Sequence, residues 1–267
     1  MNPETGGNSD FSIALVNYKT LDVTSICLDL LSSVLDVSRV PVWVVDNGSN
    51  DASLDLLKSL SWIHLIERKP SPQEAGFMAH GCALDLILER VTTKYLLLIH
   101  TDTFIYDPSI FTILLTRCAH DDKVAAVGCM EPMLRSLPHT FLRYVARGAK
   151  YHFRKYALAL GLKSRRPKLH YETHLKSFCA LWNVDIIRKH GMTFSMGNRT
   201  PGYEMQDQLL KLGYKFAVLS PRVIFKYLDH VDKATASMRD GMRINERRFD
   251  KYQHVLGKAK KRQSKTP

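Results

Sequence analysis

Apolar runs and amphipathic stretches alternate along the first half of the chain. Phe11 to Val16 is a short apolar run with the length of a buried strand. From Leu21 to Leu35 apolar residues recur at helical spacing. Val40 to Val45 is rich in β-branched residues and predicts a second strand. Asp51 is placed to cap a helix through Leu60, and Trp62 to Ile66 follows as a third strand. Gly76 to Arg90 reads as a helix. Tyr95 to Ile99 is a fourth strand, followed by a loop and a helix from about Pro108. Val124 to Gly128 is a fifth. Strands alternating with helices predict an α/β fold: a Rossmann-like, mostly parallel sheet flanked by helices.

The alternation breaks at residues 132–172. Phe141, Tyr144, Val145, Tyr156 and Leu160 fall near helical spacing among many cations, which predicts a basic amphipathic helical insertion. Regular structure then resumes. Ser177 to Trp182 reads as a strand, Val184 to His190 and Glu204 to Leu212 as helices, and Tyr214 to Leu219 as a strand. Val223 to Tyr227 reads as a further apolar strand. The expected organisation is a polar arm (1–10), a first half (11–131), the insertion (132–172), a second half (173–235), and a C-terminal helix with a basic tail (236–267).

Composition adds limits. With 267 residues, 45% of them hydrophobic, the chain can bury one large core. The net charge of +12 is local. Residues 132–171 hold ten Lys/Arg and no acid, and residues 258–267 hold five more. Without these two segments the remainder is slightly acidic. The five cysteines are scattered and form no CxxC pair, so buried free thiols are expected rather than disulfides or a zinc site. No run approaches the roughly 20 apolar residues of a membrane span. The N-terminal residues lack the basic start and apolar stretch of a secretory signal. The expected location is the cytoplasm, or the inner face of the cell membrane.

Ligands of parallel α/β sheets sit at the carboxyl ends of the strands. After the first strand comes Asn17-Tyr18-Lys19-Thr20, which has neither GxGxxG nor GxxxxGK[ST]. Dinucleotide-binding and P-loop readings are thereby removed. After the second comes Asp46-Asn47-Gly48-Ser49-Asn50-Asp51. Asp46 offers acceptors to a base or ribose, and Gly48 permits a sharp turn. Read alone, this stretch is better explained as a plain turn with a helix cap. After the fourth comes His100-Thr101-Asp102. A carboxylate there suits a hard divalent cation that also binds substrate phosphates.

Together these pieces resemble the nucleotide-sugar-binding half of family 2 glycosyltransferases, of the GT-A fold and with rhamnosyltransferase-like members. VVDNGSND stands for their DNGSxD, Glu74-Ala75-Gly76-Phe77 for NxGF, and His100-Thr101-Asp102 for the acidic DXD metal motif. The likeness covers about residues 11–130, and more weakly 177–230. It implies that Asp46 and Asn47 bind the donor nucleotide with Val16, Asn17, Gly76 and Thr101. It implies that Asp102 binds Mg²⁺ or Mn²⁺ at the donor diphosphate. Glu74 departs from the usual Asn, and His100 from the usual acid.

The resemblance further implies a carboxylate base near the start of a helix, upstream of a Gly-Tyr. Glu204 and Asp207 precede Gly213-Tyr214 and share a helix face, and Asp207 is favoured. It also implies a metal-binding His230; beside Asp229 and Asp232 a surface histidine is an equal reading. Trp182 is either core or part of an acceptor pocket. The implied activity is a metal-dependent, inverting hexosyl or deoxyhexosyl transfer in polysaccharide synthesis. The donor is a UDP-, TDP- or GDP-linked sugar, and the acceptor a glycan, a lipid-linked sugar or lipopolysaccharide. The basic insertion and tail suit an anionic membrane surface. The rivals are a nucleic-acid-binding α/β protein, a nucleotidyltransferase, and a degenerate GT-A protein without catalysis.

Overall fold

In the computed structural model, described for residues 9–231 except 75, 166, 168 and 170, and for 254, 257 and 261, the strands form two sheets. The first half of the chain supplies β1 (Phe11–Asn17), α1 (Leu21–Val34), β2 (Val42–Asp46), α2 (Ala52–Ser59), β3 (Ile63–Glu67) and α3 (Gly76–Arg90). It continues with β4 (Tyr95–Ile99), β5 (Thr103–Ile105), α4 (Ser109–Ala119) and β6 (Val124–Gly128). The long helix α5 (Leu137–Ala159) is followed by β7 (Cys179–Asn183), α6 (Val184–Lys189), α7 (Tyr203–Lys211) and β8 (Lys215–Val218). The last elements are α8 (Pro221–Ile224) and β9 (Leu228–His230).

The large sheet has the order β3-β2-β1-β4-β7-β6-β8. Only β7 runs against its neighbours, β4 and β6. This is the mostly parallel α/β sheet that the alternation predicts. Leu96 and Leu98 of β4 point to one layer of buried side chains, and Leu97 and Ile99 to the other. Such two-sided burial is why these strands read as continuous apolar runs. Helices α1 and α4 cover one face; α3, α6 and α7 cover the other. Trp182 is core, buried edge-on against Phe194 at 5.5 Å. All five cysteines are free thiols, four of them buried.

Two local differences matter for the site. The expected strand Val223 to Tyr227 is instead the helical turn α8 followed by β9. Ser220 accepts a hydrogen bond from the Arg222 N–H, and Pro221 occupies the first turn, so the chain starts a helix there. The loop expected after β4 contains β5, which pairs antiparallel with β9. Three-residue strands are too short to carry a readable period.

The insertion is helical as expected. Only Ala157 of α5 is buried. Ion pairs from Arg143 and Arg147 tie α5 to Glu131 and Glu172. The polar arm to residue 8 and, apart from 254, 257 and 261, the expected C-terminal helix and tail lie outside the described residues, as does Asp232. No described helix is long and apolar enough to cross a membrane.

Candidate functional site

The carboxyl ends of β1, β2 and β4 open into a cavity of about 540 Å³. Val16, Asn47, Gly76 and Thr101 line it, as do His100 and Asp102. Asn17 and Asp46 lie beneath its wall and are not among its described lining residues. Asn17 Nδ2 donates to Asp46 Oδ1 (2.8 Å), Ser49 Oγ (3.1 Å) and Ser53 Oγ (2.9 Å). Its Oδ1 accepts from Thr20 and Thr24. Asp46 also accepts from the Ser49 N–H at 3.0 Å. Gly48 turns this loop at φ +78°, where a Cβ would stand 3.0 Å from Pro70 Cδ. Asn17 and Asp46 thus brace the loop that presents Asn47.

Arg68, just beyond β3, was not singled out by the sequence. Its guanidinium donates to Asn47 Oδ1 (2.7 Å) and is paired with Glu74, which lines the cavity. That hydrogen bond holds the Glu74 carboxyl below the usual range. The glutamate in the NxGF-like position therefore serves as a counter-charge to a half-buried arginine.

The β5–β9 ribbon builds the second feature. Thr103 pairs with His230, and the Val231 N–H donates to the Asp102 carbonyl at 3.1 Å. This register brings His230 Nε2 to 3.3 Å from Asp102 Oδ1. His100 Nδ1 lies 3.8 Å from the same oxygen. Ligand atoms of His100, Asp102 and His230 lie within 4.8 Å of one another, and His230 and Asp102 are buried. The His230 ring stacks on Phe178 at 4.5 Å, and its Nδ1 donates to the Pro132 carbonyl at 2.8 Å. That bond fixes the tautomer, so in the neutral ring Nε2 turns its lone pair toward a carboxylate. A proton or a metal cation between them reconciles the two groups. Two metal–ligand bonds of about 2.1 Å meeting near 90–110° leave donors about 3.0–3.4 Å apart. The donor set and spacing fit a divalent cation. His100, which the sequence presents as the loss of an acid, offers an imidazole nitrogen in its place. The HxD spacing at a strand end was the available signal.

The chain adopts the GT-A fold. Among solved structures it is similar to the mannosyltransferase PcManGT from Pyrobaculum calidifontis, determined with GDP-Man and Mn²⁺. The TM-score is 0.55 at 13% identity, over 97% of this chain and 74% of that one. It is also similar to a TarS fragment from S. aureus, with a TM-score of 0.48 at 13% identity, over 94% and 71%. No protein-family model matches the chain. No curated protein sequence matches it.

In this GT-A fold the two candidate carboxylates sit on α7. Arg199 donates to Asp207 Oδ2 (2.6 Å) and Glu204 Oε2 (3.0 Å). Asp207 Oδ1 lies 2.9 Å from His174 Nε2. Burial pushes the Asp207 carboxyl up, and the bonds from Arg199 and His174 more than reverse this, so it lies below the usual range. Gly197, at φ +79°, leaves room for Glu204; a Cβ there would meet Glu204 Cγ at 2.5 Å. His174 stacks on Tyr203 at 4.2 Å, and both line a second cavity, of about 790 Å³, that shares Thr200 with the first. His174 carried no signal in the chain, because its link to Asp207 spans 33 residues and exists only in the fold.

Proposed function

We propose that this chain is a metal-dependent, inverting glycosyltransferase. It moves a hexosyl or deoxyhexosyl group from a nucleoside diphosphate to a glycan or lipid-linked acceptor, as in polysaccharide synthesis. The observation that carries the reading is the His100, Asp102 and His230 cluster, whose His100 and Asp102 line the strand-end cavity of a GT-A fold. Asn47, Val16, Gly76 and Thr101 would contact the donor nucleotide, with Asn17 and Asp46 positioning Asn47 from beneath. PcManGT's own complex with GDP-Man and Mn²⁺ supports a donor of this kind.

A divalent cation held by Asp102, His100 and His230 would offset charge on the departing diphosphate. Two imidazoles beside one carboxylate suit Mn²⁺ better than Mg²⁺, which prefers oxygen ligands. Inversion requires a single displacement. The acceptor oxygen forms a bond to the anomeric carbon as the bond to the diphosphate oxygen breaks, and that electron pair leaves with the diphosphate. The acceptor proton passes to the Asp207–His174 pair. Asp207 holds the His174 ring by its Nε2, and the ring is oriented further by its stack on Tyr203. Glu204 shares Arg199 with Asp207 and keeps that guanidinium in place.

The exposed side of α5 supports a location on an anionic membrane face. Leu142, Val145, Phe153, Tyr156 and Leu160 are all exposed, at helical spacing, beside the cations of the insertion. Replacing Val145, Phe153 and Tyr156 on the exposed stripe with Ser should abolish binding to anionic vesicles. Unchanged binding removes the membrane from the proposal.

The central test is thermal-shift screening against UDP-, GDP-, TDP- and CMP-sugars, with and without Mn²⁺. A metal-dependent stabilisation that disappears in Asp102→Ala is expected. No shift with any nucleotide sinks the reading.

A further inference from the structure

Helix α5 is two-sided in an uncommon way. Arg143, Arg147, Lys150 and Arg154 follow one another at intervals of four, three and four, which places them in one stripe. The exposed apolar residues Leu142, Val145, Phe153, Tyr156 and Leu160 form a second stripe, about 120° round the helix at 3.6 residues per turn. The apolar stripe faces solvent. The cationic stripe borders a cavity: Arg147, Lys150 and Arg154 line the space of about 790 Å³, as do Arg199 and the stacked His174 and Tyr203.

A solvated cationic face needs no partner, but this one encloses space. Its volume lies within the range of sites for small ligands. Its charge is not balanced from within. Glu172 already receives Arg143, Arg147 and Lys176, at 3.2, 3.0 and 3.0 Å. Glu131 receives Arg135 and Arg143. Arg199 is held by Glu204 and Asp207. Lys150 and Arg154 have no acidic partner among the described residues, and no Asp or Glu occurs between Glu131 and Glu172. Tyr151, Tyr171 and Tyr203 add aromatic rings to the same wall. Such rings accept the flat apolar faces of sugars, and guanidinium and ammonium groups accept phosphate oxygens.

We propose that this cavity is the acceptor site and that it takes a phosphate-bearing acceptor, with Lys150 and Arg154 on the phosphate. The proposal rests on the glycosyltransferase reading and narrows its acceptor. The cavity shares the lining residue Thr200 with the strand-end cavity, and His174 stands in its wall, so an acceptor bound there lies beside the proposed base. The phosphate belongs either to a soluble phosphorylated sugar or to a lipid-linked one. The apolar stripe on the outer side of α5 suits the lipid source.

Calorimetric titration of the full chain decides the matter. The probes are glucose, glucose 6-phosphate, and vesicles of phosphatidylcholine with and without phosphatidic acid. A probe with a phosphomonoester, glucose 6-phosphate or phosphatidic acid, should bind at least about tenfold more tightly than its uncharged or zwitterionic counterpart. The Lys150→Ala/Arg154→Ala double variant should lose that preference, and Lys150→Arg/Arg154→Lys should keep it. Preference for glucose 6-phosphate over glucose identifies a soluble source; preference confined to phosphatidic acid vesicles identifies a lipid one. Equal binding of each phosphomonoester probe and its counterpart overturns the proposal. So does a preference that survives in the double variant and disappears in Asp102→Ala, which places the phosphate in the strand-end cavity. The Mn²⁺-dependent nucleotide shift, measured on the same variants, separates the two ideas. If it persists while phosphate preference is absent, the acceptor assignment fails and the transferase reading stands.

Discussion

Asp102 is 5% exposed and has an imidazole nitrogen on each of two sides, at 3.3 and 3.8 Å. Replacing one ligand of such a cluster should weaken Mn²⁺ by at least about tenfold, since even the outer partners of metal ligands matter that much. His230→Ala and His100→Ala are both expected to do so by direct metal titration. If His100→Ala binds Mn²⁺ as the parent does, the cluster is reduced to Asp102 and His230. The acid–base assignment separates three further residues. Asp207→Asn and His174→Gln should each lower kcat at least about a hundredfold, the usual scale for a general base. Glu204→Gln should cost much less, and a larger loss there than in Asp207→Asn would reverse the roles. Asp207 also links stability to pH. Its folded pKa is lowered, so its contribution is fully present above the ordinary Asp value of 3.8 and is lost as pH falls through the folded value. Melting curves of the parent and Asp207→Asn should therefore differ at neutral pH and converge in strong acid.

At the scale of elements, the strands that were plain in the sequence are those buried on both faces. Tyr95 to Ile99 and Val124 to Gly128 were bounded as they stand, because every residue in them is buried and polar residues flank the first at both ends and the second at its start. Leu97, 1% exposed at the sheet centre, illustrates the energetic side: Leu97→Ala should cost about 2–5 kcal/mol in chemical denaturation. Strand direction was not legible. Cys179 to Asn183 reads as apolar as its neighbours, and nothing local says that it runs antiparallel to β4 and β6. Helix α8 was hidden by apolar residues at 223–225 that suggested a strand, although Ser220-Pro221 is a helix-start signal. The helix α5 was legible as an amphipathic element. Its division into a cationic stripe bordering a cavity and an exposed apolar one needed the fold, which says which side lines the cavity.

At the scale of the molecule, each cavity joins residues from distant parts of the chain. The first collects the ends of β1, β2 and β4 with Ser177 and Thr200; the second joins α5 to residues around α7. The loops after the first four strands carried enough signal to place the first cavity. Asn17 and Asp46 stood out there because they are fixed by hydrogen bonding, and the same bonding keeps them under the wall. The second cavity had only its net charge as a signal. Binding at the two should be separable: Asp102→Ala should abolish Mn²⁺-dependent nucleotide stabilisation while leaving phosphate preference intact.

The small ribbon of β5 and β9 has a consequence for how the protein assembles. Asp102 and His230 belong to stretches 128 residues apart, and the β5–β9 pairing joins them, together with the bond from the Val231 N–H to the Asp102 carbonyl. A cation bound there would act as a clasp across nearly half the chain, and its affinity would add to folding stability. During synthesis, the walls of the strand-end cavity from β1, β2 and β4 emerge first, Ser177 and Thr200 follow, and the clasp comes last. A chain cut before Leu228 should thus keep the strand-end pocket but lose the stabilisation by Mn²⁺. Metal affinity would then report whether β9 is paired with β5.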